Sequence, residues 1–382
     1  MNQIGTFLWT DGINFFDTLH KKIYNKRPRK VYDKMAVTKK LLAPPKTLQL
    51  SLIPTWSCNL RCPHCFVLKK LNKNLTPEET QIENLEKFIK WHQDKYTHKK
   101  LTGLIIGGEP LLFPDICMEY IKLIKSFGGF CTLTTNMSVP INDKIIEIYN
   151  ILDQSQVSID GPEEVHNKTR FFNLNMIDEV KTKPNLFVQV IENLKILKKH
   201  NLTKKIHVAV SIRKDLEQKK AVAEIKLILR ALGIENITIG HIAESAYYNK
   251  TQQQKITSMR EMAKPCCSFR YMRHFVVQGN KLYADYFDRK EASFLGSLDQ
   301  NFEKLPIKYE AHLKQNMPIL KDKTCLSCSA LPICWGQCVG HTLFDNFVPS
   351  EFCNQQQMID KMRGFLENPS YIENLKKDES NT

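Results

Sequence analysis

The chain has 382 residues, room for one large domain and a smaller one, and with 42% hydrophobic residues it can bury a sizeable core. It contains no run of about 18 apolar residues, which excludes a membrane-spanning helix. Asp11 and Asp17 interrupt the apolar N-terminal stretch and the basic residues follow it, so it is no secretory signal and a cytoplasmic protein is expected. The net charge is +15, but Lys and Arg are spread along much of the chain and no nucleic-acid-binding motif occurs, so no specific nucleic-acid partner is expected.

Residues 1–46 read as a basic helical extension. Phe15, Phe16, Leu19 and Ile23 fall at near-helical spacing, and Pro44-Pro45 closes the segment. Residues 1–47 hold ten Lys/Arg against three Asp/Glu, a surface that could meet an acidic peptide or protein. Thr47–Pro54 alternates Leu48, Leu50 and Leu52 with polar residues, the pattern of a strand. Thr76-Pro77-Glu78-Glu79 reads as a capping box that starts a helix carrying Ile82, Leu85 and Ile89 on one face. Strand and helix signals then alternate. Strands are predicted at 101–106, 130–135, 156–159, 206–212 and 237–242, and helices at 115–126, 143–152, 186–200 and 217–232. Such a series packs as parallel strands with right-handed helical crossovers. The expected fold is α/β, a partial (β/α)6 TIM-like barrel over 47–262, with its functional loops at the strand C-termini. A small cysteine-rich domain follows over 263–355, then a C-terminal helix and tail over 356–382.

The chemistry-bearing stretch is Cys58-Asn59-Leu60-Arg61-Cys62-Pro63-His64-Cys65, directly after the first of these strands. Three thiolates at C-x3-C-x2-C spacing on one loop can hold three irons of a [4Fe–4S] cluster and leave the fourth open to a small molecule. A structural zinc loop is the alternative, although closed zinc sites want four ligands. Twelve cysteines in a reducing compartment argue for metal rather than disulfides. Cys117 and Cys131 stand apart and read as core thiols. Cys325, Cys328, Cys334, Cys338 and Cys353 read as a second metal centre, of iron–sulfur or zinc.

Taken together the motifs resemble radical S-adenosylmethionine (radical SAM) enzymes of the branch with a C-terminal SPASM domain, which includes anaerobic sulfatase-maturating enzymes and peptide maturases. The resemblance rests on the three-cysteine motif, Gly107-Gly108-Glu109-Pro110, Val157-Ser158-Ile159-Asp160-Gly161-Pro162 with His166 and Arg170, and the cysteine block at 325–353. It implies a SAM-binding [4Fe–4S] cluster on Cys58, Cys62 and Cys65, and cleavage of S-adenosylmethionine to a 5′-deoxyadenosyl radical. It further implies that Gly107 and Gly108 let the backbone approach the methionine moiety and that Glu109 accepts from its ammonium. Ser158 would contact the cofactor, Arg170 would pair with its carboxylate, and His64 would lie beside the adenine, where the family usually has an aromatic residue. Asn167 stands where the family usually has Asp.

By the same resemblance, Cys325, Cys328, Cys334 and Cys353 would hold an outer auxiliary cluster. An inner one would have at most Cys266, Cys267 and Cys338, because its remaining ligand position is Ala284 here, so the chain holds one auxiliary cluster or two. Asp285 would be the base that takes a proton from the substrate radical. The implied function is oxidation or crosslinking of a peptide or protein substrate, one with an acidic leader included, using electrons from a flavodoxin or ferredoxin. The alternative is radical SAM chemistry on a small molecule.

Overall fold

The structure, a computed structural model, describes residues 2–5, 8–10, 15–17 and 22–24 and, apart from a few intervening positions, residues 47–173, 185–241, 272–284 and 293–316. The N-terminal segment corrects the sequence expectation. Instead of a helix it forms four short strands, β1 (Asn2–Gly5), β2 (Leu8–Thr10), β3 (Phe15–Asp17) and β4 (Lys22–Tyr24), in an antiparallel sheet of that order. Phe15 pairs with Tyr24 and Phe16 with Ile23 across β3 and β4. Aromatic and β-branched residues favour strands, and that preference outweighs the helical spacing of four apolar positions.

Six parallel strands follow in chain order, each beside the last: β5 (Thr47–Ile53), β6 (Lys100–Ile105), β7 (Phe130–Thr135), β8 (Gln154–Ile159), β9 (Ile206–Ile212) and β10 (Asn236–His241). The crossovers carry α1 (Ile82–Tyr96), α2 (Pro114–Ser126), α3 (Asp143–Ile151), the short α4 (Glu163–Thr169), α5 (Leu186–Lys199) and α6 (Gln218–Ala231). This is the expected partial α/β barrel. Leu48, Leu50 and Leu52 of β5 enter the main core with Phe88 and Ile89 of α1, Ile121 and Ile124 of α2, and Val190 and Leu194 of α5. Thr47 and Ser51 on the opposite face of β5 are buried as well, so this strand is covered on both sides. Cys117 and Cys131 are buried in the same core, as expected. Among the described residues no helix is long and apolar enough to cross a membrane.

Three features depart from the sequence reading. The helix expected at Pro77 begins at Ile82, because residues 76–78 are recruited elsewhere. Pro77 bridges Thr55, the Glu78 amide donates to the Pro54 carbonyl, and the Thr76 amide donates to Ser57 Oγ. The stretch thus runs behind the start of the cysteine loop. The described strands beyond 263 also belong to the sheet. β11 (Met272–Gln278) pairs in parallel with the whole length of β5, and β12 (Lys281–Tyr283) and β13 (Phe294–Ser297) continue antiparallel from it. α7 (Leu305–Asn316) follows, and neither it nor α4 was expected. The sheet therefore crosses the boundary drawn at 262/263.

Candidate functional site

Four neighbouring strands deliver their C-terminal ends to one place. The cysteine loop follows β5, Gly107–Pro110 follows β6, Thr135-Asn136 ends β7, and Asp160 follows β8. Parallel strands with helical returns gather functional loops at that end of the sheet.

The cysteine loop is tied down by its own hydrogen bonds. Arg61 reaches the carbonyls of Cys58 (2.8 Å), Leu60 (3.0 Å) and Asn72 (2.7 Å). Its amide donates to Phe171 O, Asn173 N to Asn59 O, and Leu60 bridges Phe172. Ser57 Oγ donates to Asn74 O at 2.7 Å. Cys58, Cys62 and Cys65 are free thiols, the first two buried, in one apolar cluster with Leu60 and Leu186. Burial pushes all three thiols up, Cys62 to about 11, while the neighbouring Arg170 pulls Cys62 and Cys65 down. Backbone N–H groups oppose the rise too, that of Leu60 at Cys58, Phe171 at Cys62 and Val67 at Cys65. Dry thiols supplied with amide donors are suited to become metal-bound thiolates rather than free anions. Among the described residues no fourth cysteine joins them. A tetrahedral zinc draws its sulfurs to about 2.3 Å from one ion, whereas a cubane takes each sulfur on a different iron. The donor set fits three corners of a [4Fe–4S] cluster.

The Gly-Gly-Glu-Pro loop packs against this one. Gly107 has φ +155, and a side chain there would overlap the Thr55 carbonyl; one on Gly108 would overlap the Ser57 carbonyl. The Gly108 and Glu109 amides donate to those same two carbonyls, at 2.9 and 2.8 Å. The two glycines therefore let the strand entering the cysteine loop lie directly against this loop. Sequence reading assigned that closeness to the cofactor alone. Glu109 is fully buried. Oε1 accepts from Thr135 Oγ1 (2.7 Å) and Leu111 N (3.1 Å), and Oε2 accepts from Asn136 N (2.7 Å). Burial lifts its carboxyl to about 7 against these donors and against the field of Arg170.

On the other flank sits Asp160, also fully buried. It accepts from Arg170 Nη2 at 2.8 Å and Thr169 Oγ1 at 2.7 Å, and lies 3.3 Å from His64 Nε2. Burial alone would raise its carboxyl, but Arg170 and His64 outweigh that and hold it below the ordinary value. Arg170, expected on a cofactor carboxylate, thus spends one edge on Asp160, while its buried Nε has no hydrogen-bond partner. His166 Nδ1 accepts from the Asp160 amide at 3.3 Å, and burial drives that ring down to about 3, so it is neutral. Ser158 is half-buried in β8, on the face opposite Val157 and Ile159 and shared with Asp160.

The structure thus gathers Cys58, Cys62, Cys65, His64, Gly107, Gly108, Glu109 and Arg170 at one end of the barrel, with Ser158 on the adjoining strand. Asn167 accepts from Phe187 N at 3.0 Å and helps start α5. Asp285, Cys266, Cys267, Cys325, Cys328, Cys334, Cys338 and Cys353 lie outside the described residues; Ala284 is fully buried. Sequence reasoning gave no role to Asp160, Thr135 or Asn136. The signal was available, since all three are polar residues at the C-terminal ends of predicted barrel strands.

An open α/β barrel with three clustered thiols beside a buried carboxylate and guanidinium defines a cluster-bearing enzyme domain. Residues 52–225 match the radical SAM superfamily, and this part of the chain is a radical SAM domain. Such a domain works with a [4Fe–4S] cluster and S-adenosylmethionine. The chain is 30% identical over 153 residues to a serine-type anaerobic sulfatase-maturating enzyme of Bacteroides thetaiotaomicron, covering 38% of this chain and 35% of the relative. It is 30% identical over 120 residues to an S-adenosylmethionine-dependent nucleotide dehydratase of a Fibrobacter species, covering 30% and 34%. The matches thus span about a third of the length of these curated relatives. A solved structure of native anSMEcpe with bound AdoMet and Cp18Cys peptide shares the fold, with a TM-score of 0.57 over 87% of this chain and 99% of that one, at 16% identity.

Proposed function

We propose that this chain is a radical SAM maturase that oxidises a residue of a peptide or protein substrate. The observation that carries the reading is the convergence of the three thiols with Glu109 and Arg170, a carboxyl and a guanidinium at the same end of the barrel as the residues that would hold the cluster. A carboxylate and a guanidinium in one dry space suit the ammonium and carboxylate of an amino-acid moiety, and the methionine end of S-adenosylmethionine is one. Glu109 would accept from the ammonium with Oε2, which carries a single protein donor. Arg170 would give its unpartnered Nε to the carboxylate while Asp160 holds the other edge. His64, fixed by Asp160, would flank the adenine, and Ser158 would line the floor. When bound and reduced, the cluster and S-adenosylmethionine supply a 5′-deoxyadenosyl radical able to take a hydrogen atom from substrate. The peptide assignment draws on the sulfatase-maturase relative and on the peptide-bound fold neighbour. Asp285 is the candidate base for the substrate, and a flavodoxin or ferredoxin the candidate electron source.

The nucleotide dehydratase relative supports a second reading, the same radical chemistry on a small molecule. One experiment separates the two. The anaerobically reconstituted chain, with reductant and S-adenosylmethionine, should release 5′-deoxyadenosine, and Cys58→Ala should release none. Co-expression with a short peptide encoded beside it should give a peptide lighter by two hydrogens, only with the intact cysteines. An unchanged peptide alongside 5′-deoxyadenosine release would favour the small-molecule reading, and equal release by Cys58→Ala would overturn both.

A further inference from the structure

Asn136, at the end of β7, is buried and touches both arms of the site. Its backbone N–H holds Glu109 Oε2 at 2.7 Å. Its side-chain Nδ2 lies 3.0 Å from Asn59 Oδ1 and 3.8 Å from Cys58 Sγ. Sulfur, larger than oxygen, accepts at such longer distances. The orientation of this amide is fixed by its neighbours. Asn136 Oδ1 accepts from the Ser138 backbone N–H at 2.9 Å and from Ser138 Oγ at 2.6 Å. A backbone N–H can only donate, so the oxygen must face Ser138 and the amino group must face Asn59 and Cys58. Asn59 closes the ring by donating its own Nδ2 to Ser138 Oγ at 2.8 Å.

The amide donors at the three sulfurs come from the backbone, whose N–H groups no substitution other than proline removes; Asn136 adds a side-chain donor at Cys58. Iron–sulfur potentials depend on hydrogen bonds to the sulfurs and on solvent exposure. Reduction adds one electron, part of whose charge rests on the cysteine sulfurs. A donor aimed at a sulfur favours the more negative state more strongly, and the effect is larger where water is excluded.

We propose that Asn136 tunes this centre: its side-chain amide donates to the Cys58 sulfur and raises the reduction potential of the cluster that Cys58 helps to hold, so the one-electron reduction needs a weaker external reductant. The proposal rests on the reading of Cys58, Cys62 and Cys65 as cluster ligands.

The test is a redox titration of the reconstituted full chain followed by electron paramagnetic resonance, on the signal that Cys58→Ala abolishes. Asn136→Ala should lower the midpoint potential by about 59 mV, the one-electron equivalent of a tenfold fall in the reduced-to-oxidised ratio at fixed poise. Asn136→Asp keeps the acceptor for Ser138 but sets a carboxylate beside the sulfur, and it should lower the potential further. Ser138→Ala breaks the ring without removing the donor, and its midpoint should match wild type. If Asn136→Ala matches wild type, or if Ser138→Ala shifts as far, the proposal fails. Should neither Asn136 variant hold iron, the wild-type protein decides. Asparagine labelled with heavy nitrogen should give a weak nitrogen coupling in the pulsed spectrum of the reduced cluster, and its absence overturns the proposal. A wild-type chain whose iron content is untouched by Cys58→Ala refutes the ligand reading itself, a different failure.

Discussion

Asp160 is a buried carboxylate facing the Arg170 guanidinium and the His64 ring, and it sets the geometry of both. Arg170 Nη2 and His64 Nε2 lie on its two oxygens, at 2.8 and 3.3 Å. Taking such charges out of water is costly, and the pairing is what makes it tolerable. Removing one partner leaves the other charge buried and alone. Asp160→Asn should therefore cost about 3–5 kcal/mol of stability at neutral pH, read from urea unfolding of the metal-free protein. The pH dependence follows from the direction of the shift. The folded carboxyl titrates below the ordinary value of about 3.9, so the unfolded chain binds the proton first as the solution is acidified. The stability due to Asp160 is complete above about 4 and is lost as pH falls through the depressed folded value. The gap between wild type and Asp160→Asn should be full at pH 7 and close progressively below pH 4; a gap independent of pH would mean that the substitution acts through packing alone.

Between residues and molecule the organising element is β5, which ends at the cysteine loop and is flanked on both edges. β6 lies on one side and β11 on the other, the latter across seven residue pairs. Phe275 of β11 anchors this second edge. It is 2% exposed and packs edge-on to Phe88 at 5.2 Å and against Tyr309 at 5.0 Å. Phe275→Ala should cost about 3–5 kcal/mol, and because β11 supports the strand that delivers Cys58, thermal unfolding and cluster loading should weaken together. Unchanged iron binding with the full stability loss would show that β6 alone positions the loop. The six barrel strands were legible because each is a short apolar or alternating run bounded by polar loops, as Leu48, Leu50 and Leu52 illustrate. β11 and β12 were missed although their signals exist. Val276-Val277 is β-branched, and Gly279-Asn280 is a two-residue hairpin connection with Gly279 at φ +53. The dense cysteines nearby drew the reading toward an irregular metal domain. The capping box at Thr76 failed for another reason. Local preference favoured a helix there, but tertiary bonds to Pro54, Thr55 and Ser57 use the same backbone in extended form.

At the scale of the whole molecule the twelve cysteines divide by position. Three stand on the loop after β5 and two are core thiols. The other seven fall at residues 266–353, outside the described residues. The site at the strand ends was readable in advance where the chemistry needs a rare spacing, as in Cys58-x3-Cys62-x2-Cys65. Asn136 and Asp160 were legible as polar residues at strand ends, but their partners were not, because Asn136 meets Cys58 only once the ends of β5 and β7 are gathered and Asp160 meets Arg170 only once α4 folds back on the end of β8. The division by position makes metal content separable by mutation. Loading the barrel loop adds about four irons per chain, and each further cubane about four more. Replacing Cys325 and Cys328 together by Ala should remove about four irons while leaving 5′-deoxyadenosine release in place, since the three barrel thiols, Glu109 and Arg170 are untouched. Cys58→Ala should do the reverse, removing the barrel cluster and all release while the C-terminal iron stays. If the double variant instead loses one zinc and no iron, the C-terminal block is a structural zinc site, and the radical chemistry runs on the barrel cluster without an auxiliary centre there. If it loses both iron sets, the two parts of the chain fold as one unit around β5 and β11, and the shared sheet is the reason.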